Sequence, residues 1–340
     1  MKKLICSTLL AVAIGFSLPC HATDLPGKGV TVKPGRATWT TGFFHEAIVR
    51  KGLKELGYKV KKPKDLSVPI FYKSLTLGDV DYWVNGWFPL HDAQLPEDFE
   101  EKVEVLGYVV KAGGLQGYMV SKKHAEEFGM TSLADFKRPE VRKAFDKDGD
   151  GKADLVSCPP GWGCVKVINH HMKEYGLEDS VEPISASYEA AMAGAIAEYK
   201  SGQPIFYYTW SPNWTLFKLK PGIDTMWIGV PETRPMEAQM AGVDRMEVTG
   251  VEGSLTETLK AGFVVSDVRI VANKKFTDAN PAAKKFFELF HISVADISEQ
   301  NTKMNEGEKS PKDIDRHAQE WIDNHQVEWA SWLEEAKNAS

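Results

Sequence analysis

Cysteine occurs only four times in this 340-residue chain, and two of the four, Cys6 and Cys20, stand at its beginning. Long apolar runs are missing after Leu18: no later stretch approaches the roughly 18 apolar residues that a membrane-spanning helix needs. Positive charge is in deficit, with a formal net charge of −6, which argues against a nucleic-acid or anionic-membrane partner, since both need a basic face. There is no low-complexity tract and no internal repeat. Also absent are a Gly-x-Ser-x-Gly elbow, a His-Glu-x-x-His zinc site and a glycine loop of the kind that cradles phosphate. Enzyme classes built on those devices therefore have no starting point here, and no cofactor is expected.

At the amino end, Lys2 and Lys3 precede the apolar run Leu4 to Leu18, which closes near the small-residue site Cys20-His21-Ala22. This pattern predicts a secretory signal peptide over 1–22, cleaved after Ala22. Cys20 raises the alternative of a lipid anchor, but Ser17, Leu18 and Pro19 do not supply the usual Leu-x-small approach to such a cysteine. In an exported chain Cys158 and Cys164 are the remaining thiols, and an oxidising compartment predicts that they pair. A ring so short constrains the unfolded chain little, so the bridge is expected to fix the geometry of Pro159-Pro160-Gly161-Trp162-Gly163. Pairing also removes a thiol nucleophile.

The rest of the chain is too long for one ordinary core and predicts two domains. Strands are expected at Gly29–Val32, Val68–Tyr72, Asp81–Trp87, Val103–Val110 and Leu115–Val120, with a helix over Thr41–Leu56 and a helical turn at Leu75–Gly78. Gly113, Gly114 and Gly117 suggest a crossing into a second domain. There the β/α rhythm restarts, with helices near Leu133–Phe136, Val165–Tyr175 and Ala190–Tyr199 and a buried strand at Pro204–Tyr208. Met226–Val230 and Val264–Ala272 read as strands returning to the first domain, and Asn280-Pro281 opens a helix to Phe290. The division is thus 23–112 plus about 223–340 for the first domain and about 113–222 for an inserted second one, with hinge crossings near 112 and 222. A C-terminal helix carries Trp321, Trp329 and Trp332 on one stripe, assigned to packing.

Ten tryptophans are the main compositional oddity. Trp87, Trp162 and Trp210 differ from the helical ones because each adjoins Gly, Pro or Ser at a strand end or loop, and loops face clefts more often than cores do. A quaternary ammonium has no N–H to donate, so a protein holds it with aromatic faces, each contributing very roughly 0.5–2 kcal/mol. The competing reading is that loop tryptophans plug cores, as tryptophan usually does.

Four segments carry a resemblance: Trp-Phe-Pro-Leu-His-Asp at 87–92, Asp-Gly-Asp-Gly-Lys-Ala-Asp-Leu at 148–155, Cys-Pro-Pro-Gly-Trp-Gly-Cys at 158–164 and Phe-Tyr-Tyr-Thr-Trp-Ser-Pro at 206–212. Together they resemble the periplasmic glycine betaine/proline betaine-binding proteins of ABC importers, and shorter matches extend the likeness over almost the whole mature chain. The resemblance implies an α/β, two-domain periplasmic binding protein fold, type II-like, with the ligand cleft between the domains. It also implies that Trp87, Trp162 and Trp210 box a trimethylammonium group, while His91 and the backbone donors of Gly163 and Cys164 receive the carboxylate. A periplasmic monomer that delivers a betaine to a membrane permease with its ATPase is the function it implies. Physical chemistry agrees, because N–H groups just before a helix starting near Val165 favour an anion. For His91 alone, an ordinary turn histidine is the competing reading.

Other constellations weigh less. Asp146, Asp148, Asp150 and Asp154 resemble the front of a calcium loop, but Ser157 stands where the bidentate acid belongs, which favours an Asx-rich turn that binds nothing. His170 and His171, adjacent on a helix, point to different sides and are assigned to structure. An exported sensory module that reports betaine-like or choline-like solutes to a membrane receptor is the alternative function. A choline-ester hydrolase would use the same cage but needs a nucleophile that the sequence does not display. The segment from Arg234 to Ala261 fits none of these readings and could shape the cleft rim.

Overall fold

The computed structural model describes residues 25–340. The expected signal peptide, its cleavage after Ala22 and Cys20 lie outside the described residues. Among these residues no helix is long and apolar enough to cross a membrane.

The chain is organised around one strand of 19 residues, Val103–Ser121, where the sequence predicts two. Its first half pairs antiparallel with Ser266–Asn273, which in turn pairs with Tyr82–Phe88. Its second half is flanked by Phe206–Ser211 and Thr225–Ile228, and the sheet continues through Ala153–Val156 to Val181–Ile184 in parallel register. At the changeover the chain bends: Ala112 has φ +48°, and its N–H donates to Asp267 Oδ1 at 2.7 Å. A side-chain carboxylate here takes the donor that the bend removes from the ladder. Two α/β lobes therefore share one strand, and the cleft lies between them.

Tyr82–Phe88 is buried at six of its seven positions, as expected of a strand covered on both faces. The helix Gly42–Glu55 covers it from one side with Phe44, Ala47 and Ile48.

Val68–Tyr72 is helical, contrary to the predicted strand; it opens a helix running to Leu77. Val68, Phe71, Tyr72, Leu75 and Thr76 are buried at the three- and four-residue spacing of one helical face, Pro69 sits in the first turn, and Gly78 ends the helix with φ +76°. The short apolar run had the composition of a strand; the proline and the later apolar positions decide against it.

The strand predicted at Met226–Val230 is Thr225–Ile228, and it does not return to the first lobe. It pairs with Tyr118–Ser121, beside Phe206–Ser211, and the return comes with Ser266–Asn273. The region from Arg234 to Ala261 forms a 3-10 helix, Glu237–Arg245, and a small hairpin of Glu247–Thr249 with Thr258–Lys260. The predicted C-terminal helix is two, Pro311–Asn324 and Gln326–Asn338, broken at His325. Their tryptophans still pack together: Trp321, Trp329 and Trp332 are buried around Phe286 and Phe290.

Candidate functional site

Trp87, His91, Trp162, Gly163, Cys164 and Trp210 all line one narrow cavity of about 20 Å³. Trp39, Leu90, Gln116 and Tyr208 complete its wall. Trp162 meets Trp210 edge-on at 5.5 Å between centroids and Trp39 edge-on at 5.2 Å. Tyr188 backs both Trp162 and Trp210, at 5.9 and 5.0 Å. These rings come from both lobes, and the lobes touch through them. The Trp162 indole N–H donates to Thr38 Oγ1 at 2.9 Å, and the Val68 amide donates to the Gly161 carbonyl at 3.3 Å.

Trp87 sits at the end of the strand Tyr82–Phe88, just before the turn Pro89–His91. Gly114 leaves the room it needs: a Cβ there would stand 2.5 Å from Trp87 Cζ3. Trp162 stands in the loop closed by the disulfide Cys158–Cys164, so the expected pairing is present. Gly161, at φ +89°, turns that loop in a conformation L side chains rarely adopt. Gly163 then lies flat against His91 and Leu90, with a Cβ position 2.8 Å from His91 Cδ2.

The helix Cys164–Glu174 begins at the cavity wall. Cys164, Val167, Ile168, His171 and Met172 form its buried face. Its first N–H groups have no acceptor within the helix and carry the positive end of its dipole. This is one residue earlier than the sequence expects, since Cys164 is its first residue.

His91 supplies a further donor. The Trp87 backbone N–H points at His91 Nδ1 at 3.2 Å, and the Tyr72 hydroxyl lies 2.9 Å from the same nitrogen. An amide can only donate, so Nδ1 is an acceptor. Burial lowers the His91 pKa to about 3, which keeps the ring neutral and leaves its proton on Nε2. Trp83 stacks on the ring at 5.6 Å and 10°, fixing its plane. The cavity lining thus combines indole faces, which offer no N–H, with an imidazole and a helix start that carry hydrogen-bond donors.

Residues 30–324 match the family described as the substrate binding domain of ABC-type glycine betaine transport systems. The chain belongs to this family. A glycine betaine/proline betaine-binding periplasmic protein of Escherichia coli is 40% identical over 332 residues, 97% of this chain and 98% of its own length. The glycine betaine-binding periplasmic protein OusX of Dickeya dadantii is 38% identical over 340 residues, the full length of both. Among solved structures, a glycine betaine/L-proline-binding protein of Borrelia burgdorferi superposes with a TM-score of 0.70 at 18% identity, covering 91% of this chain and 99% of its own. That likeness shows the periplasmic binding protein fold. Members of the family are substrate-binding proteins of ABC transport systems.

Sequence reasoning misses Trp39, because it is flanked by Thr38 and Thr40 and so fails the adjoining Gly, Pro or Ser criterion that selects the other three tryptophans. Tyr72 and Gln116 had no such signal. Tyr72 is hidden in a misassigned strand, and Gln116 becomes part of the wall only through the 19-residue strand.

The other candidates lie elsewhere. Oxygens of Asp146, Asp148 and Asp154 stand within 4.8 Å of one another. Asp146 accepts from the Gly149 and Gly151 amides, Asp148 from Asp150, Asp150 from Lys152 and Asp154 from Lys147. These are the contacts of an Asx-rich turn. His171 is buried between the Tyr118 hydroxyl, 2.8 Å from Nδ1, and the Gly262 carbonyl, 3.0 Å from Nε2, whereas His170 Nε2 meets the Arg234 carbonyl at 2.9 Å. The two rings do point to different sides.

Proposed function

We propose that this chain captures glycine betaine, or a closely related betaine, in the tryptophan-walled cavity and delivers it to the membrane permease and ATPase of an ABC importer. The observation that carries the reading is that one cavity is lined both by indole rings and by His91, Gly163 and Cys164. Trp87, Trp162 and Trp210, with Trp39 beside them, offer faces to a cation that cannot hydrogen-bond. His91 Nε2–H and the Gly163 and Cys164 amides offer donors to a carboxylate. A zwitterion with a methylated cation at one end and a carboxylate at the other matches both sets of groups. The protein acts in the periplasm as a monomer, and it binds without turning its ligand over.

Closure is part of the same reading. Trp87, His91 and Trp39 belong to the lobe built on Tyr82–Phe88, and Trp162, Gly163, Cys164 and Trp210 to the other. We assign the crossings to about 112–114 and 262–266, where the long strand changes partners and where Ser266–Asn273 joins it. Ligand held by one lobe is then boxed when the other swings onto it, and the closed form is what the permease recognises.

Calorimetric titration against glycine betaine, choline and a sulfonium analogue tests the assignment. Betaine should bind at least tenfold more tightly than choline, because choline leaves those donors without an anion. Equal affinities, or no binding of any methylated cation, would remove the reading. A second expectation concerns the disulfide. Replacing both Cys158 and Cys164 by Ser should weaken betaine about tenfold while lowering the melting temperature by no more than about 5 °C, because the small ring orients Trp162 more than it restrains the unfolded chain. A large melting shift with unchanged affinity would contradict that role.

A further inference from the structure

Two tryptophans of the cavity wall are tied to a single atom. Asn85 lies in the strand Tyr82–Phe88 and is 2% exposed. Its Oδ1 accepts the Trp39 indole N–H at 2.7 Å and the Trp87 indole N–H at 2.8 Å. An indole nitrogen can only donate, so this end of the carboxamide must be the oxygen. The Nδ2 end then faces His45 Nδ1 at 2.8 Å, and the histidine accepts. His45 is itself buried and its pKa is lowered to about 4, so the ring is neutral and able to accept at physiological pH. Gly42 closes the arrangement from the helix side: a Cβ there would lie 3.4 Å from both Asn85 Cγ and Trp39 Nε1.

We propose that Asn85 is the positioning residue of the binding site: its one carboxamide oxygen holds the rings of Trp39 and Trp87 as a preformed half-cage and thereby sets the affinity for the methylated cation. The inference rests on the betaine reading of the cavity. Every group in it comes from segments 37–55 and 82–88, on one side of the cleft, so the half-cage exists whether the lobes are open or closed. A ring already held by its N–H loses no freedom when a cation arrives on its face, which is the advantage of preorganisation. An apolar residue at 85 would leave two buried indole donors without an acceptor, and both rings would turn to find one. Trp162 and Trp210 lack this device. The Trp162 N–H reaches across to Thr38, and the Trp210 N–H is buried with no partner among the described residues. The four rings therefore divide into a fixed pair on one lobe and a pair that completes the box on closure.

The test uses the full-length mature protein labelled with nitrogen-15, with the indole N–H signals of Trp39 and Trp87 assigned through Trp39→Phe and Trp87→Phe. Asn85→Leu should move both signals in the ligand-free protein and weaken glycine betaine at least tenfold. Asn85→Asp keeps an acceptor for both indoles and should retain both signals, with betaine affinity within about fivefold of the wild type. If Asn85→Leu does not fold, Asn85→Asp decides alone: retained signals and affinity support the proposal, and loss of both overturns it. It is also overturned if Asn85→Leu binds betaine within threefold of the wild type with both signals unmoved, or if Asn85→Asp loses as much as Asn85→Leu, since the oxygen would then not be what matters. A wild-type protein that fails to bind betaine removes the functional reading, and the ligand-free indole signals still decide whether Asn85 holds the two rings.

Discussion

Replacing Trp162 by Ala should weaken glycine betaine binding 30- to 100-fold and leave the fold intact. The loss has two parts. One aromatic face of the cage disappears, and a desolvated face contributes about 2 kcal/mol. The indole also carries the contact to Thr38 and the edge-on packing against Trp39, both of which join the lobes. Losing them makes closure less favourable, which adds to the deficit; about 2–3 kcal/mol in all corresponds to the stated range. The fold should survive because Trp162 stands in a disulfide-closed loop at the cleft and is not itself part of a strand. Calorimetry with a thermal melt of the same variant checks both halves. Retained affinity would remove the cage. A collapse of the melting transition would make Trp162 a core residue.

Acid should unfold the protein steeply between pH 6 and 4. His45, His91 and His171 are buried and neutral, with pKa values lowered by burial to about 4, 3 and 3. In the unfolded chain each returns to near 6.5. The unfolded state therefore binds more protons below pH 6.5, and the stability these groups contribute is complete above that pH and is lost as pH falls toward the folded values. Each can contribute a slope of about 1.4 kcal/mol per pH unit, or about 4 for three. Carboxyls act on both sides: burial raises Glu46, Asp81 and Asp154 as well as Asp92, which opposes the histidines, while Glu308, Asp313, Asp315 and Glu320 are lowered in the fold and add to them. Burial raises the Asp92 pKa to about 6, so between pH 6 and 4 the folded state gains about the equivalent of one histidine by taking up a proton. A net slope near 3 kcal/mol per pH unit would exhaust an ordinary folding stability within a few pH units. Urea titrations from pH 8 to 4 read that slope directly. His171→Gln, remote from the ligand cavity, should lower it by about half; a flat profile, or an unchanged slope in that variant, would contradict the protonation account.

Much of the site was legible because its residues sit in short local patterns. Trp87, Trp162 and Trp210 each adjoin a turn residue, and the Cys158–Cys164 ring marks its own loop, so all six expected positions meet in one cavity. Residues that join the site through tertiary pairing were not legible. Asn85 acquires its role only when the loop carrying Trp39 folds beside the strand carrying Trp87, and the sequence separates the two indoles by dozens of positions. Tyr72 was lost for a different reason. Five residues of apolar composition satisfy a strand and a helix equally, and only Pro69 together with Leu75 and Thr76 separates them. The domain rhythm was readable from alternating β and α signals. Met226–Val230 reads as a strand of the first lobe because strand composition carries no information about which edge a strand joins. Only the pairing with Tyr118–Ser121 supplies that.

A crystal structure of the protein with glycine betaine tests most directly whether the cavity holds a methylated cation at one end and a carboxylate at the other. The methylated nitrogen should lie within about 6 Å of the ring centroids of Trp87, Trp162 and Trp210. One carboxylate oxygen should stand about 2.7–3.2 Å from His91 Nε2, with the Gly163 and Cys164 amides directed at the same group. A betaine bound in the reverse sense, with its carboxylate among the tryptophans, or bound outside this cavity, would contradict that arrangement.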